Sequence, residues 1–341
     1  MSDDELQQLD SELAAEHLEG YWRLDMGVFR PEPTPLAPPH LWRWARIREL
    51  LMRAGDMRAL QSKAPRRTVR LCTPGLGIKW ATPTIHASVQ LVKPGEVAEA
   101  HRHRMAAFRF VIEGGGGFTT IEGEKFAMHD NDLVLTPPWT WHDHGHEGGP
   151  PTIWIDGHDY PLLGHLNGLF QERFHQPRQD VVHPAGHHRA QAGAMRPPGL
   201  LSGECRLPYV YSGAEALDLL RGLSEAAYDP YGGFVLDYLD PLTGGPTMPT
   251  IMCRLHRLDA GRATVAHRRT AYTIFHVVEG EGVTTAGGKQ LVWRKGDMFV
   301  MPSWTDHAHA SGAGGAVLFS ASDEPIHKAL GLFAIREATP A

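Results

Sequence analysis

Cysteine is scarce in this chain: three residues in 341, at Cys72, Cys205 and Cys253. They are far apart, odd in number and show no C-x-x-C spacing, which excludes a disulfide framework. An excess of basic residues is also absent. Lys and Arg number 33 against 39 Asp and Glu, a formal net charge of −6, so no global field draws the molecule to nucleic acid or anionic lipid. No apolar run approaches the length of a membrane span. The acidic start MSDDELQQLDSELAAEH has neither the basic nor the apolar stretch of a secretory signal. These absences predict a reduced, cytoplasmic protein with no nucleic-acid and no membrane partner. Turn-forming residues, by contrast, are plentiful. With 37 Gly and 26 Pro, many turns and a β-rich fold are favoured over a helix bundle.

Residues 3–22 read as an acidic amphipathic helix with Leu6, Leu9, Leu13 and Leu18 on one face. PEPTPLAPPH (31–40) is an extended Pro-rich linker, and 41–62 read as helical again. From about residue 66 to 160, short apolar runs alternate with Gly, Pro and Asp, the strand–turn rhythm of a sandwich or barrel. Residues 161–210 carry no clear pattern. A helix is expected over 213–228, and the strand rhythm returns over 249–322. The stretch GEGVTTAGG reads as a hairpin turn, and His187 and His188 as part of a solvated loop.

An internal repeat organises the chain. AHRHRMAAFRFVIEGGG follows Gly95, and AHRRTAYTIFHVVEGEG follows Gly261, with an offset of 166 at His101/His267 and Glu113/Glu279. NDLVLTPPWTWHDH (131–144) matches GDMFVMPSWTDHAH (296–309), with an offset of 165 at Trp139/Trp304, His142/His307 and His144/His309. The chain therefore carries two copies of one small β unit.

The first copy holds a metal-binding pattern. His101 and His103 are two apart at a strand start, so both side chains face one side. His142 lies on another strand after the PPWTW turn. Neutral imidazoles suit iron, zinc, copper and nickel, and three of them leave open coordination positions, as catalytic metals need. In the second copy His267 and His307 match, but Arg269 stands where His103 stands. An arginine cannot ligate and its fixed charge repels a cation, so the second copy is expected to be metal-free. His144 shares a face with His142 and can move a proton near neutrality. His86, Ser88 and Gln90 alternate with Ile85, Ala87 and Val89, giving one strand a polar face of the kind that lines a pocket. Arg109, between Phe108 and Phe110, shares parity with His101 and His103 and suits a carboxylate.

The pattern G-x5-H-x-H followed by P-x-W-x2-H resembles the two cupin motifs, and the repeat resembles a bicupin. Many cupins place a glutamate ligand at what is here position 107 or 108. The residues are Ala107 and Phe108, so the resemblance implies a three-histidine site without carboxylate. TPGLGIKWATPT (73–84), AHRHRMAAFRFVIEG (100–114), LTPPWTWHDHG (135–145) and WIDGHDYP (154–161) resemble the gentisate 1,2-dioxygenases and their salicylate-cleaving relatives. The implied fold is all-β: two antiparallel β-sandwich, or jelly-roll, barrels with an α-helical N-terminal extension. The implied organisation is an extension over 1–65, a metal-binding barrel over 66–165, a linker with a helix over 166–248 and a second barrel with tail over 249–341.

The resemblance implies an Fe(II) cofactor at His101, His103 and His142, O2 as co-substrate and a homotetramer. The implied reaction opens a 2-hydroxybenzoate ring between the carboxyl-bearing and hydroxyl-bearing carbons. Arg109 matches the carboxylate-binding arginine. Arg66 is a second candidate for that carboxylate, with its neighbour Arg67 not distinguished from it. Gln90 matches a pocket residue, and Asp156 matches a residue near the ring's 5-position, where a carboxylate accepts from a 5-hydroxyl; a turn Asp capping Gly157 is the alternative. At His86 relatives usually carry a large aromatic and at Ser88 a glycine. These departures point to a polar 5-substituent, with gentisate slightly ahead of 5-nitrosalicylate. The rival readings are a three-histidine cupin acting on a non-aromatic substrate and a non-catalytic ligand-binding cupin.

Overall fold

The structure is a computed structural model that describes residues 3–57, 67–192 and 208–338. Arg66, Cys205 and the expected helix end over 58–62 lie outside the described residues. The chain divides into a unit up to Thr34 and a unit from Pro35 onward. In the first unit the helix runs over Asp3–Ala15, shorter than the leucine spacing predicts. His17 takes the left-handed conformation at φ 58° and ends it. Leu18 is left exposed beyond the helix. Asp10 accepts from Trp22 Nε1 (3.1 Å) and Arg23 Nε (2.7 Å), tying the following turn back to the helix.

The second unit is built from two barrels, as the repeat and the resemblance imply. In the first, a six-stranded sheet runs in the order Val210–Tyr211, Leu133–Thr136, Ala107–Glu113, Thr152–His158, His86–Val92, Arg67–Arg70. A five-stranded sheet runs Gln171–Arg173, Val97–His103, His142–His146, Gly117–Ile121, Glu124–Ala127. All pairings among these strands are antiparallel. In the second barrel the strands Thr273–Ala286 and His307–Ser322 run unbroken round the corner, shifting register near Val277 and Gly280, so both faces join into one sheet. The bend needs glycine: Gly280 has φ 78°, and a Cβ there would collide with the Gly315 carbonyl. Hence GEGVTT lies within a strand, and only Gly287–Gly288 turn the chain.

The barrels share a core. Phe110 stacks on Phe319 with centroids 4.1 Å apart and planes 20° apart. Two buried carboxylates bridge them in matching ways: Thr250 Oγ1 donates to Asp159 (2.7 Å) and Thr84 Oγ1 to Asp323 (2.5 Å). The expected helix over 41–62 begins only at Trp44. The residues before it, His40–Trp42, form a strand against Met298–Val300 of the second barrel. Asp297 then accepts from Trp44 N (2.9 Å) and Arg43 Nη1 (2.8 Å), fixing the helix start. The helix expected over 213–228 covers Gly213–Arg221, capped by Ser212 Oγ accepting from Glu215 N and stopped at Gly222. Residues without a sequence pattern also have a place. Gln171–Arg173 pairs with His101–His103, and His187–Ala192 is a short helix in which His188 is buried, its Nδ1 2.6 Å from Glu124. The expected solvated loop is thus an anchored turn of helix.

Candidate metal centre and substrate cavity

Antiparallel register brings the three histidines together. His101 is directly opposite His142, and His103 follows two residues on from His101. Each Nδ1 meets a carbonyl two residues away in the chain: Glu99 O at 2.7 Å, Met105 O at 2.9 Å and Thr140 O at 2.9 Å. These contacts assign the Nδ1–H tautomer, so each Nε2 presents a lone pair. The three ligand atoms lie within 4.8 Å of one another. His142 Nε2 is buried with no hydrogen-bond partner, which fits an atom kept for a cation. Burial first, then the neighbouring His101, His103, Arg109 and His144, push the His142 pKa well below the ordinary value. It is therefore neutral, as a ligand must be.

Local structure holds this arrangement. Trp139 has φ 64°, a strained conformation for a bulky residue. It permits Trp139 N to donate to His103 O at 2.7 Å, locking the PPWTW turn to the ligand strand. The Arg102 guanidinium lies 4.4 Å from the rings of both Trp139 and Trp141 and pairs with Glu172 on the covering strand at 2.6 Å.

Next to the ligands is a cavity of about 460 Å³. His86, Ser88 and Gln90 line it, with Asp156, His158 and Tyr160 from the neighbouring chain segment. Met105, Leu169 and Phe170 supply apolar wall. Gln90 Oε1 accepts from Thr68 Oγ1 at 3.3 Å, while its buried Nε2 has no partner. His86 is neutral at physiological pH, because burial and then Arg70 pull its pKa down to about 4.

Arg109 and Asp156 are cross-strand partners. Arg109 Nε lies 3.2 Å from Asp156 Oδ1, and Nη1 donates to Thr136 Oγ1 at 2.6 Å, with both charged groups buried. Asp156 thus sits within a strand and does not cap Gly157. Arg67 points away from the cavity into a 2.6 Å ion pair with Glu96, which removes it as the substrate-facing arginine. Arg66 lies outside the described residues. His144 is buried beside His142, ring centroids 5.7 Å apart, and its ring also meets Trp154 at 5.5 Å.

The second barrel repeats the frame with a different centre. His267 and His307 rings are 4.3 Å apart, the same spacing as His101 and His142. Arg269 Nη2 donates to His267 Nε2 at 2.8 Å, so a guanidinium spends the lone pair that would hold a metal. Replacing Arg269 by His is expected to raise bound metal from about one to about two ions per chain by elemental analysis. A ratio that stays at one would show that something other than Arg269 excludes the ion.

The cupin domain model matches residues 88–158 and 254–320. The chain is 37% identical over 336 residues to a gentisate 1,2-dioxygenase of Aquipseudomonas alcaligenes, covering 96% of this chain and 95% of that one. The chain belongs to the gentisate and salicylate 1,2-dioxygenase family. A 5-aminosalicylate 1,2-dioxygenase from a Comamonas species is also 37% identical, over 96% of this chain and 89% of its own. The crystal structure of salicylate 1,2-dioxygenase from Pseudaminobacter salicylatoxidans superposes with a TM-score of 0.90 at 32% identity, covering 99% of each chain. The protein is thus a bicupin and an oxidoreductase of the ring-cleaving 1,2-dioxygenase family.

Of the residues singled out in the sequence, this dioxygenase fold brings His86, Gln90 and Asp156 to the cavity and Arg109 and His144 beside it. His158 and Tyr160 were missed. His158 shares strand parity with Asp156, and that alternation was a usable signal. Tyr160 and Trp80 gave no such signal, since they come from loop and helix-start positions that only the fold brings together.

Proposed function

We propose that the protein is an iron(II)-dependent dioxygenase of 2-hydroxybenzoates that opens the ring between the carboxyl-bearing and hydroxyl-bearing carbons. The product retains both atoms of O2. Gentisate and 5-substituted salicylates are the substrates, and the working form is a homotetramer. The carrying observation is a carboxylate-free set of three neutral imidazoles beside a polar cavity backed by a buried arginine. Iron(II) held by His101, His103 and His142 would keep its full charge and would supply the electron exchange that lets O2 react with the ring.

The protein's own groups have separate tasks. Arg109, held by Thr136 and Asp156, presents a fixed positive charge to the substrate carboxylate. Gln90 Nε2 donates to the ring's oxygen substituents, with Thr68 fixing the amide. His144 takes or returns the phenolic proton. Asp156 lines the cavity and accepts from a 5-hydroxyl, its charge already balanced by Arg109. The apolar side chains Met105, Leu169 and Phe170 keep bulk water from the ring.

Metal-loaded enzyme given gentisate, salicylate and 5-nitrosalicylate is expected to consume oxygen with ring loss, fastest on the 5-substituted rings. Arg109→Lys keeps the charge but loses the planar fork and both of its anchors. It is expected to lower kcat/KM by roughly 10- to 100-fold, on the order of 1.5–3 kcal/mol for charged hydrogen bonds. No oxygen uptake with any 2-hydroxybenzoate would overturn the proposal, and an unchanged kcat/KM would show that Arg109 only supports the sheet.

A further inference from the structure

The cavity continues well past the space one ring needs next to the metal ligands, and its outer end has a chemistry of its own. From the ligand His103, a line of rings leads outward. His158 lies 6.0 Å from His103, His86 5.8 Å from His158, and Tyr160 4.9 Å from His86. Trp80 closes the row 4.4 Å from Tyr160. Arg70 stands at this end. It is opposite the cavity-lining Ser88 in the strand register, so its side chain leaves the sheet on the cavity face.

Arg70 is the charge at this end. Its charge is felt by both rings: it helps burial to lower the His86 pKa and opposes the burial that raises that of Tyr160. His86 and His158 are imidazoles with no fixed charge, and the inner carboxylate Asp156 is matched by Arg109. Among the described residues Arg70 forms no ion pair, in contrast to Arg67 on the same strand, which is bound to Glu96. The guanidinium is also exposed, so it can swing to a ligand without breaking a buried network.

We propose that Arg70, with the Tyr160 hydroxyl and His86, forms a subsite for a second anionic group on the substrate ring. A 2-hydroxybenzoate whose carboxylate and phenolate face the three histidines points its C4–C5 edge away from them. A carboxylate or sulfonate at C4, the end of that edge not facing Asp156, meets a planar donor fork on Arg70, and the aromatic row holds the ring flat between the two ends. Arg70 is a specificity-determining residue here, and the substrate class is a doubly anionic hydroxybenzoate. This inference rests on the ring-cleaving reading for the location of the inner end, but binding alone tests it.

Salicylate, 4-carboxysalicylate and 4-sulfosalicylate are the probes. Their affinities for metal-loaded protein under nitrogen are read by tryptophan fluorescence, in the wild type, Arg70→Gln and Arg70→Lys. The wild type is expected to prefer the two dianionic rings. That preference should fall roughly tenfold or more in Arg70→Gln and less in Arg70→Lys, which keeps the charge. A preference for salicylate in the wild type, or a ratio unchanged in Arg70→Gln, would overturn the subsite. Oxygen uptake on the same rings is read separately. If the affinity ratio responds to Arg70 while no ring is oxidised, the subsite stands and the dioxygenase reading fails. If all rings are oxidised and the ratio ignores Arg70, only the subsite fails.

Discussion

Replacing His142 by Ala is expected to abolish metal retention and ring cleavage together. The His142 side chain is fully buried and stands opposite His101, with its Nδ1 committed to Thr140 O. Removing it leaves two imidazoles and a hole where the third lone pair was. Two neutral ligands do not hold a divalent ion against dilution and chelators, and a missing ligand typically costs far more than the 10- to 100-fold of an outer-shell change. Bound metal should drop to less than about a tenth of an ion per chain, with oxygen uptake at background. The metal-free variant should keep its far-ultraviolet circular dichroism, because the flanking strands pair through backbone hydrogen bonds that His142 does not supply. Activity surviving in a folded His142→Ala protein would remove the three-histidine set from the mechanism.

Acid should unfold the metal-free protein at a mild pH. Burial holds several imidazoles far below their usual range, among them His86, His267 and His276 at about 4 and His256 at about 3. In the folded state they stay neutral, whereas in the unfolded chain each takes a proton below about pH 6.5. Their contribution is therefore complete above pH 6.5 and is lost as pH falls from there toward about 4. The limiting slope is roughly 1.4 kcal/mol per group per pH unit. Four such groups lose several kcal/mol by pH 5, a large part of the roughly 5–15 kcal/mol a domain has. Asp143 and Asp159 are raised by burial and favour folding when protonated, an opposing contribution that matters only at the acid end. Urea midpoints at pH 7.5, 6.0 and 5.0 should fall steeply across the lower interval, with little change in slope. A midpoint that stays flat to pH 5 would show that these imidazoles titrate normally.

Much of this was readable in the chain. The duplicated spacing announced two barrels, and period-2 alternation placed His101 with His103 and His86 with Gln90, because strands assign faces by parity alone. Arg269 in place of His103 marked the second barrel as different, and the structure adds what the arginine does there: it donates to His267. Parity could not choose the partner of a charged residue. Arg109 and Asp156 are 47 positions apart, and only the sheet order makes them neighbours. The covering strand Gln171–Arg173 was invisible because its residues are exposed and carry no alternation; it pairs through backbone groups that any sequence supplies. Helix ends were overrun wherever a later strand or a left-handed residue competed, as at His40–Trp42 and His17.

The central claim is that both atoms of molecular oxygen enter the ring-opened acid. Iron-loaded protein should be mixed with gentisate or a 5-substituted salicylate under 18O2, and the product analysed by mass spectrometry immediately after quenching. The account predicts one oxygen molecule consumed per ring and two 18O atoms in the product. Incorporation of one atom or none, or loss of the ring without oxygen uptake, would contradict it.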